Sequence, residues 1–417
     1  MADSAQHKGW TSTMYLRAGR AALTVAVLVG LAAPPSAQAQ TFTVLYSFAG
    51  SPDGASPQAG LVRGAAGNLY STTAYGGSSG EGTVFKVDAS GTESVLYSFT
   101  GGADGGQPFA GLVWGKAGTL YGNAYYGGDF NCDPYGCGTV FKVDTSGTEK
   151  VLHTFKGGTM DGCFPGGAPV MDNNGNLYGT AEGCNFGVVW KVSKDGIETV
   201  LYAFTGGSDG AFPSGGLIRD TAGNLYGTTF QGGTQGCLGN VGCGVVFKLD
   251  KKGKEKVLYR FTGYPLDGCY PYGTPALDSE GNLYGTAWSC GSSYQGIVWK
   301  VSKNGTETVL HNFTGYPSDG ANPTAGVIID AKGNLFGDTP MGGSSGDCGS
   351  SIGCGTVYKL SRNGTLTLLH SFAGADGSSP FGGLRRNAKG ELLGTADQGG
   401  SGQECNHGCG TVWKLTP

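Results

Sequence analysis

Seven aspartates recur in one motif, Asp-Gly-x-x-Pro, at Asp53, Asp104, Asp161, Asp209, Asp267, Asp319 and Asp376. A ring of carboxylates can hold a cation or form an acidic funnel. The same residue ahead of a proline can instead cap backbone N–H groups as an Asx-turn. Sevenfold identity favours the turn, because catalysis rarely needs seven equal copies of one group, so no metal and no cofactor is assigned. Histidine offers less. His153, His311 and His370 fill a repeated position that is tyrosine elsewhere, and His407 lies between Cys405 and Cys409.

The twelve cysteines fall into six pairs by position. Four pairs sit within one loop: Cys132/Cys137, Cys237/Cys243, Cys348/Cys354 and Cys405/Cys409. Two, Cys163/Cys184 and Cys269/Cys290, join a linker to a loop of the same repeat, and where the linker gains a cysteine the loop gains one and shortens. Six intra-repeat disulfides are expected, each contributing about 2–3 kcal/mol by loop entropy. Zinc is the rival, weakened because each repeat offers two thiols and the pairs lie on different repeats.

Residues that break the repeat are aromatic: Tyr75, Tyr125, Tyr126, Phe130, Phe230, Trp288 and Tyr294. Exposed rings of this kind stack on sugars or anchor a protein partner. They can also simply cover loop backbone, and both readings stand at this point. Of these, Tyr75, Tyr125, Tyr126, Phe230, Trp288 and Tyr294 are the candidate ligand contacts.

The elements behind these residues follow from the period. A Val-Leu-Tyr-Ser-Phe text begins at Val44, Val95, Val151, Val200, Val257, Val309 and Leu368, so the unit is 49 to 59 residues long. Each unit reads as four short strands: D (residues 95–99, for example), A (216–219), B (224–228) and C (82–87). The A–B and C–D connections are tight Gly-closed hairpins, the D–A linker is constant, and only the B–C loop varies. The expected fold is all-β: a seven-bladed β-propeller of four-stranded antiparallel blades. The chain opens on a lone strand D and ends on a lone strand C, so the N-terminal strand must join the last blade to close the ring. An open solenoid would leave both edges bare. Strand A should line the channel, and residues 61–63, 112–114, 169–171, 217–219, 275–277, 327–329 and 384–386 contain no Asp, Glu or His. A channel metal of the kind a propeller lactonase or lyase needs therefore lacks ligands there, while acids in the turns at the channel rim stay open.

Lys8, Arg17 and Arg20 precede an apolar run and an Ala-x-Ala site, so residues 1–39 read as a signal peptide and 40–417 as the propeller. The thirteen-residue run is too short to span a membrane. Removing the leader leaves 24 basic and 30 acidic residues, a net charge of −6, which argues against nucleic acid or anionic lipid as partner.

The repeat text Asn224-Leu225-Tyr226-Gly227-Thr228 with Gly242-Cys243-Gly244-Val245-Val246-Phe247-Lys248 resembles the Gloeo/Verruco (GloVer) tandem repeat of bacterial surface and secreted proteins. The same text recurs at residues 136–142 and 408–414. The resemblance supplies no catalytic motif. Family members often carry a C-terminal surface-sorting domain; Pro417 ends the last strand here, so secretion or periplasmic residence is expected rather than attachment. The combined expectation is an exported monomeric binding or scaffold module that meets an extracellular glycan or surface protein on the face of D–A linkers and B–C loops. A propeller lyase or hydrolase and a purely structural surface protein are the alternatives.

Overall fold

In the computed structural model, the described residues are 40–417 apart from 133, 234–235, 238, 240, 266, 346–347 and 349–351; the expected leader lies outside them. Seven four-stranded antiparallel sheets form the blades, each a meander from a two-residue strand A to an outer strand D. Blade 1 runs Val62–Arg63, Leu69–Thr73, Thr83–Val87 and Glu93–Ser98. Blade 7 runs Arg385–Arg386, Leu392–Ala396, Thr411–Thr416 and then Thr41–Ser47 from the start of the chain. That last pairing, Thr41 opposite Thr416 and Ser47 opposite Thr411, closes the ring. No α-helix occurs among the described residues.

The hairpins obey local chemistry. In the turn after strand A of blade 3, Asp172 Oδ1 accepts the N–H groups of Asn174 and Asn176, each at 2.9 Å, and Gly175 takes φ 85°. Strand D carries a one-residue bulge opposite strand C, between Val84 and Phe85 in blade 1, and the same irregularity recurs in all seven blades.

Blades are joined through rings and one Gly–Pro contact. The strand-C aromatics Phe85, Phe141, Trp190, Phe247, Trp299, Tyr358 and Trp413 are fully buried. Each receives the edge of a phenylalanine from the preceding blade; Phe48 meets Phe85 at 5.0 Å and Phe99 meets Phe141 at 5.0 Å. Beside this contact, the glycine before strand C abuts the proline of the next Asp-Gly-x-x-Pro. A Cβ on Gly244 (φ 93°) would stand 2.6 Å from Pro271 Cδ and 2.3 Å from Thr229 O. The residue ahead of each proline lies in the left-handed region, from Gln107 at φ 49° to Tyr270 at 62°. Its N–H crosses the joint, as Tyr270 N does to Cys243 O at 2.9 Å. The repeat text is thus the text of the blade joint. Gly244→Ala combines left-handed strain with overpacking, so its expected cost is about 2–4 kcal/mol, read as a lower urea midpoint.

Candidate functional site

The seven aspartates of Asp-Gly-x-x-Pro are structural. Asp104 Oδ2 accepts the Tyr97 hydroxyl at 2.9 Å and the Thr100 N–H at 2.8 Å, and Asp209 repeats this with Tyr202 and Thr205. His153, His311 and His370 take the tyrosine's place against Asp161, Asp319 and Asp376 at 2.7–3.0 Å. At five blade junctions a glutamate from the next outer strand approaches the same carboxylate. Burial first, and then the adjacent aspartate, push Glu93 up to about 8 and Glu149, Glu198, Glu255 and Glu307 up to about 7. At the sixth and seventh junctions that position holds Leu366 and Phe42, and Phe42 stacks on His370 at 3.7 Å. The trio His153, Asp161 and Glu198, whose ligand atoms lie within 4.8 Å of one another, is therefore a variant of the joint.

The disulfides pair Cys132–Cys137, Cys163–Cys184, Cys237–Cys243, Cys269–Cys290, Cys348–Cys354 and Cys405–Cys409, and no cysteine is free. The pairs lie on different blades as expected, yet sulfurs of neighbouring blades come close. The sulfurs of Cys132, Cys163 and Cys184 lie within 4.8 Å of one another, as do those of Cys237, Cys269 and Cys290. The ring places neighbouring loops side by side. Oxidised sulfur is not a thiolate ligand, so the objection to zinc rests on oxidation rather than distance.

What varies from blade to blade is the residue immediately after strand B: Ala74, Tyr125, Glu182, Phe230, Trp288, Pro340 and Asp397. Every D–A linker pairs with the B–C loop of its own blade, for instance Gly106 with Tyr126, and four of those residues, Tyr125, Glu182, Phe230 and Trp288, line the channel mouth. The mouth opens on a cavity of about 1090 Å³ lined by Tyr125, Tyr126, Glu182, Phe230, Tyr272 and Trp288 above the strand-A residues. Of the six aromatics singled out in the sequence, Tyr125, Tyr126, Phe230 and Trp288 line it. Tyr75 and Tyr294 do not. Tyr75 leans on Phe109 at 6.4 Å, and Tyr294 stacks on Tyr264 at 4.2 Å on the outer loop surface.

The lining aromatics form an arc over blades 2 to 5. Tyr125 stacks on Phe164 at 5.3 Å and meets Tyr126 edge-on at 4.8 Å. Phe230 stacks on Tyr270 at 4.8 Å, and Tyr270 reaches Trp288 at 6.4 Å. Phe164 and Tyr270 both hold left-handed backbone, φ 61° and 62°, a conformation that bulky residues adopt only when the surroundings impose it. Between the two halves of the arc stands Glu182. Its Oε1 accepts the Tyr125 hydroxyl at 2.5 Å. Burial, reinforced by this carboxylate, holds the Tyr125 hydroxyl far above the ordinary tyrosine value and pushes Tyr272 up to about 12. Asp397, across the ring, is buried, has its pKa raised by that burial, and accepts from Gln58 Nε2 at 3.0 Å.

Glu182 and Tyr272 were not found from the sequence. Strand A carries no acid, which leaves acids at the channel rim open; Glu182 takes a rim position that alignment on Leu-Tyr-Gly-Thr exposes, where the other blades carry Ala, Tyr, Phe, Trp, Pro and Asp. The Gloeobacter/Verrucomicrobia repeat matches residues 34–239 and 238–417, which together span the propeller. The chain belongs to the Gloeobacter/Verrucomicrobia repeat family. No curated protein matches this family member by sequence. Among solved structures, a fungal alcohol oxidase of the AA5 family in complex with copper is similar at TM-score 0.56 and 12% identity, over 89% of this chain and 75% of that one. The extracellular domain of the hybrid two-component system BT3049 from B. thetaiotaomicron is similar at TM-score 0.53 and 10% identity, over 90% of this chain and 41% of that one. The gluconolactonase XC5397 from Xanthomonas campestris reaches TM-score 0.41 and 15% identity, over 73% and 84% of the two chains. At such identities the Gloeobacter/Verrucomicrobia repeat protein shares a propeller fold with the first two, and the likeness says nothing of its activity.

Proposed function

We propose that the protein is an exported binding module that takes an extracellular glycan at the channel mouth. The observation that carries this reading is the arc of Tyr125, Tyr126, Phe230, Tyr272 and Trp288 around one cavity, built where the repeat is otherwise free to vary. Aromatic faces suit sugar rings, and a cavity of about 1090 Å³ matches the upper range of ligand sites. Glu182 is the one carboxylate among the described lining residues, whereas glycoside hydrolysis ordinarily needs a pair. That favours binding over hydrolysis. Six disulfides support an oxidising compartment, extracellular or periplasmic, and no helix among the described residues is long and apolar enough to cross a membrane.

The test is a polysaccharide and oligosaccharide panel with the oxidised chain from Gln40 onward, with product analysis on each hit. Trp288→Ala should weaken a true ligand by about tenfold to a hundredfold, the range for losing one aromatic anchor. Tyr294→Ala, outside the cavity, should leave affinity unchanged. Release of products would make the protein an enzyme, and binding indifferent to Trp288 would move the site elsewhere.

A further inference from the structure

We propose that the cavity takes a cationic amino sugar, a glucosamine oligomer with its amine protonated, and that Glu182 receives the ammonium group. This inference rests on the glycan-binding reading above and adds the charge of the ligand.

Glu182 sits between aromatic neighbours rather than among other charges. Tyr125 donates to its Oε1 at 2.5 Å and so fixes the carboxylate plane, while nothing among the described residues donates to the other oxygen. The Tyr272 hydroxyl feels the same carboxylate. No lysine or arginine is among the described lining residues, so no side chain of the cavity neutralises Glu182. A carboxylate in an aromatic-lined cavity suits ammonium recognition, which joins an ion pair to cation–π attraction from nearby rings.

The backbone leaves room for the group. The residue after each proline is Gln58, Phe109, Ser214, Tyr272, Thr324 or Phe381 in six blades, but Gly166 beside Glu182. A Cβ at Gly166 would stand 3.3 Å from Ser214 O and 3.8 Å from both Glu182 Cδ and Tyr125 Cε2, so a side chain there would lie against the carboxylate. Glu182 is thus the one acidic position in an arc otherwise built of aromatic rings. A lysine side chain would pair with Glu182 and leave the rest of the arc unused. A chain of sugar rings bearing amines uses both.

The experiment is calorimetry with the oxidised chain from Gln40 onward. Its ligands are a glucosamine tetramer, the matching N-acetylglucosamine tetramer, a neutral glucose tetramer and a lysine-containing peptide, below the pKa of the sugar amine. The glucosamine tetramer should bind on the order of tenfold to a hundredfold more tightly than its N-acetyl counterpart, as expected for one charge-assisted contact. Glu182→Gln should erase that preference, and raising the pH through the amine pKa should erase it in the unmodified protein. Tyr294→Ala, outside the cavity, should keep the preference, and Glu182→Gln should still bind the N-acetylglucosamine tetramer as the unmodified protein does, which separates charge loss from misfolding. Equal affinity for all the sugars, with Glu182→Gln unchanged, overturns the charge assignment and leaves glycan binding standing. Tighter binding of the peptide overturns the amino-sugar assignment. Failure of every glycan here and in the wider panel overturns both readings.

Discussion

A chain lacking residues 40–48 is expected to lose its cooperative unfolding transition and to associate. Thr41–Ser47 supplies the outer strand of blade 7, paired along the whole of Thr411–Thr416. Its side chains also bridge the closing joints: Phe42 lies 5.6 Å from both Phe372 and Trp413, and the buried Phe48 lies 5.0 Å from Phe85. Withdrawing five apolar or aromatic side chains, Phe42, Val44, Leu45, Tyr46 and Phe48, at about 1.5 kcal/mol or more each, removes roughly 8 kcal/mol. That is comparable with the whole stability of an ordinary domain. The same cut bares the edge of strand 411–416, a template for pairing with a second chain. Size-exclusion chromatography and thermal unfolding read both effects. A truncated protein that stays monomeric with an unchanged transition would show that the closure contributes little.

The second large effect concerns Asp338. In the other blades the residue at this place in strand B is Thr or Asn, and its side chain donates to the channel-side backbone of the next blade. Thr72 does so to Ala110 O at 3.0 Å and Thr180 to Gly215 O at 2.8 Å. Blade 6 has a carboxyl group instead. Both Asp338 oxygens are buried without a hydrogen-bond partner among the described residues, and burial raises its pKa from 3.8 to about 8. The folded state therefore binds the proton more tightly than the unfolded chain. Stability is intact below about pH 4 and is lost as pH rises toward 8. By pH 7 the loss is on the order of 4 kcal/mol, since each pH unit above the unfolded-state value costs about 1.4 kcal/mol. Asp338→Thr should recover most of this near pH 8 and little near pH 4. Urea midpoints of both proteins at the two pH values check it, and an equal gain at both would refute the protonation argument. The five junction glutamates carry the same sign, so the variant's pH slope should shrink without vanishing.

Much of this architecture was legible because the repeat is geometric. The glycine and proline of the repeat text touch across every joint, as Gly244 does Pro271. The lone first strand and lone last strand left one way to complete seven blades. The aspartate ring was legible as turn chemistry, although its tyrosine and histidine partners were not. Asp338 stood in plain view as Leu-Phe-Gly-Asp where three other blades read Leu-Tyr-Gly-Thr and the rest end on Thr or Asn, but its burial depends on which face of strand B meets the next blade.

Sequence alone determined the blade count, the four-strand order, the closure and the cysteine pairing, because each depends on spacing along the chain and on residues whose backbone preferences are local. Only the tertiary structure decided which loop aromatics share a cavity, since Tyr125, Phe230 and Trp288 are far apart in the chain and meet through the curvature of the ring. It also decided that Glu182 faces them and that Tyr75 and Tyr294 do not. Whether a side chain faces the channel or the rim depends on the twist of its blade and on the packing of the next one, and the period of the repeat carries neither.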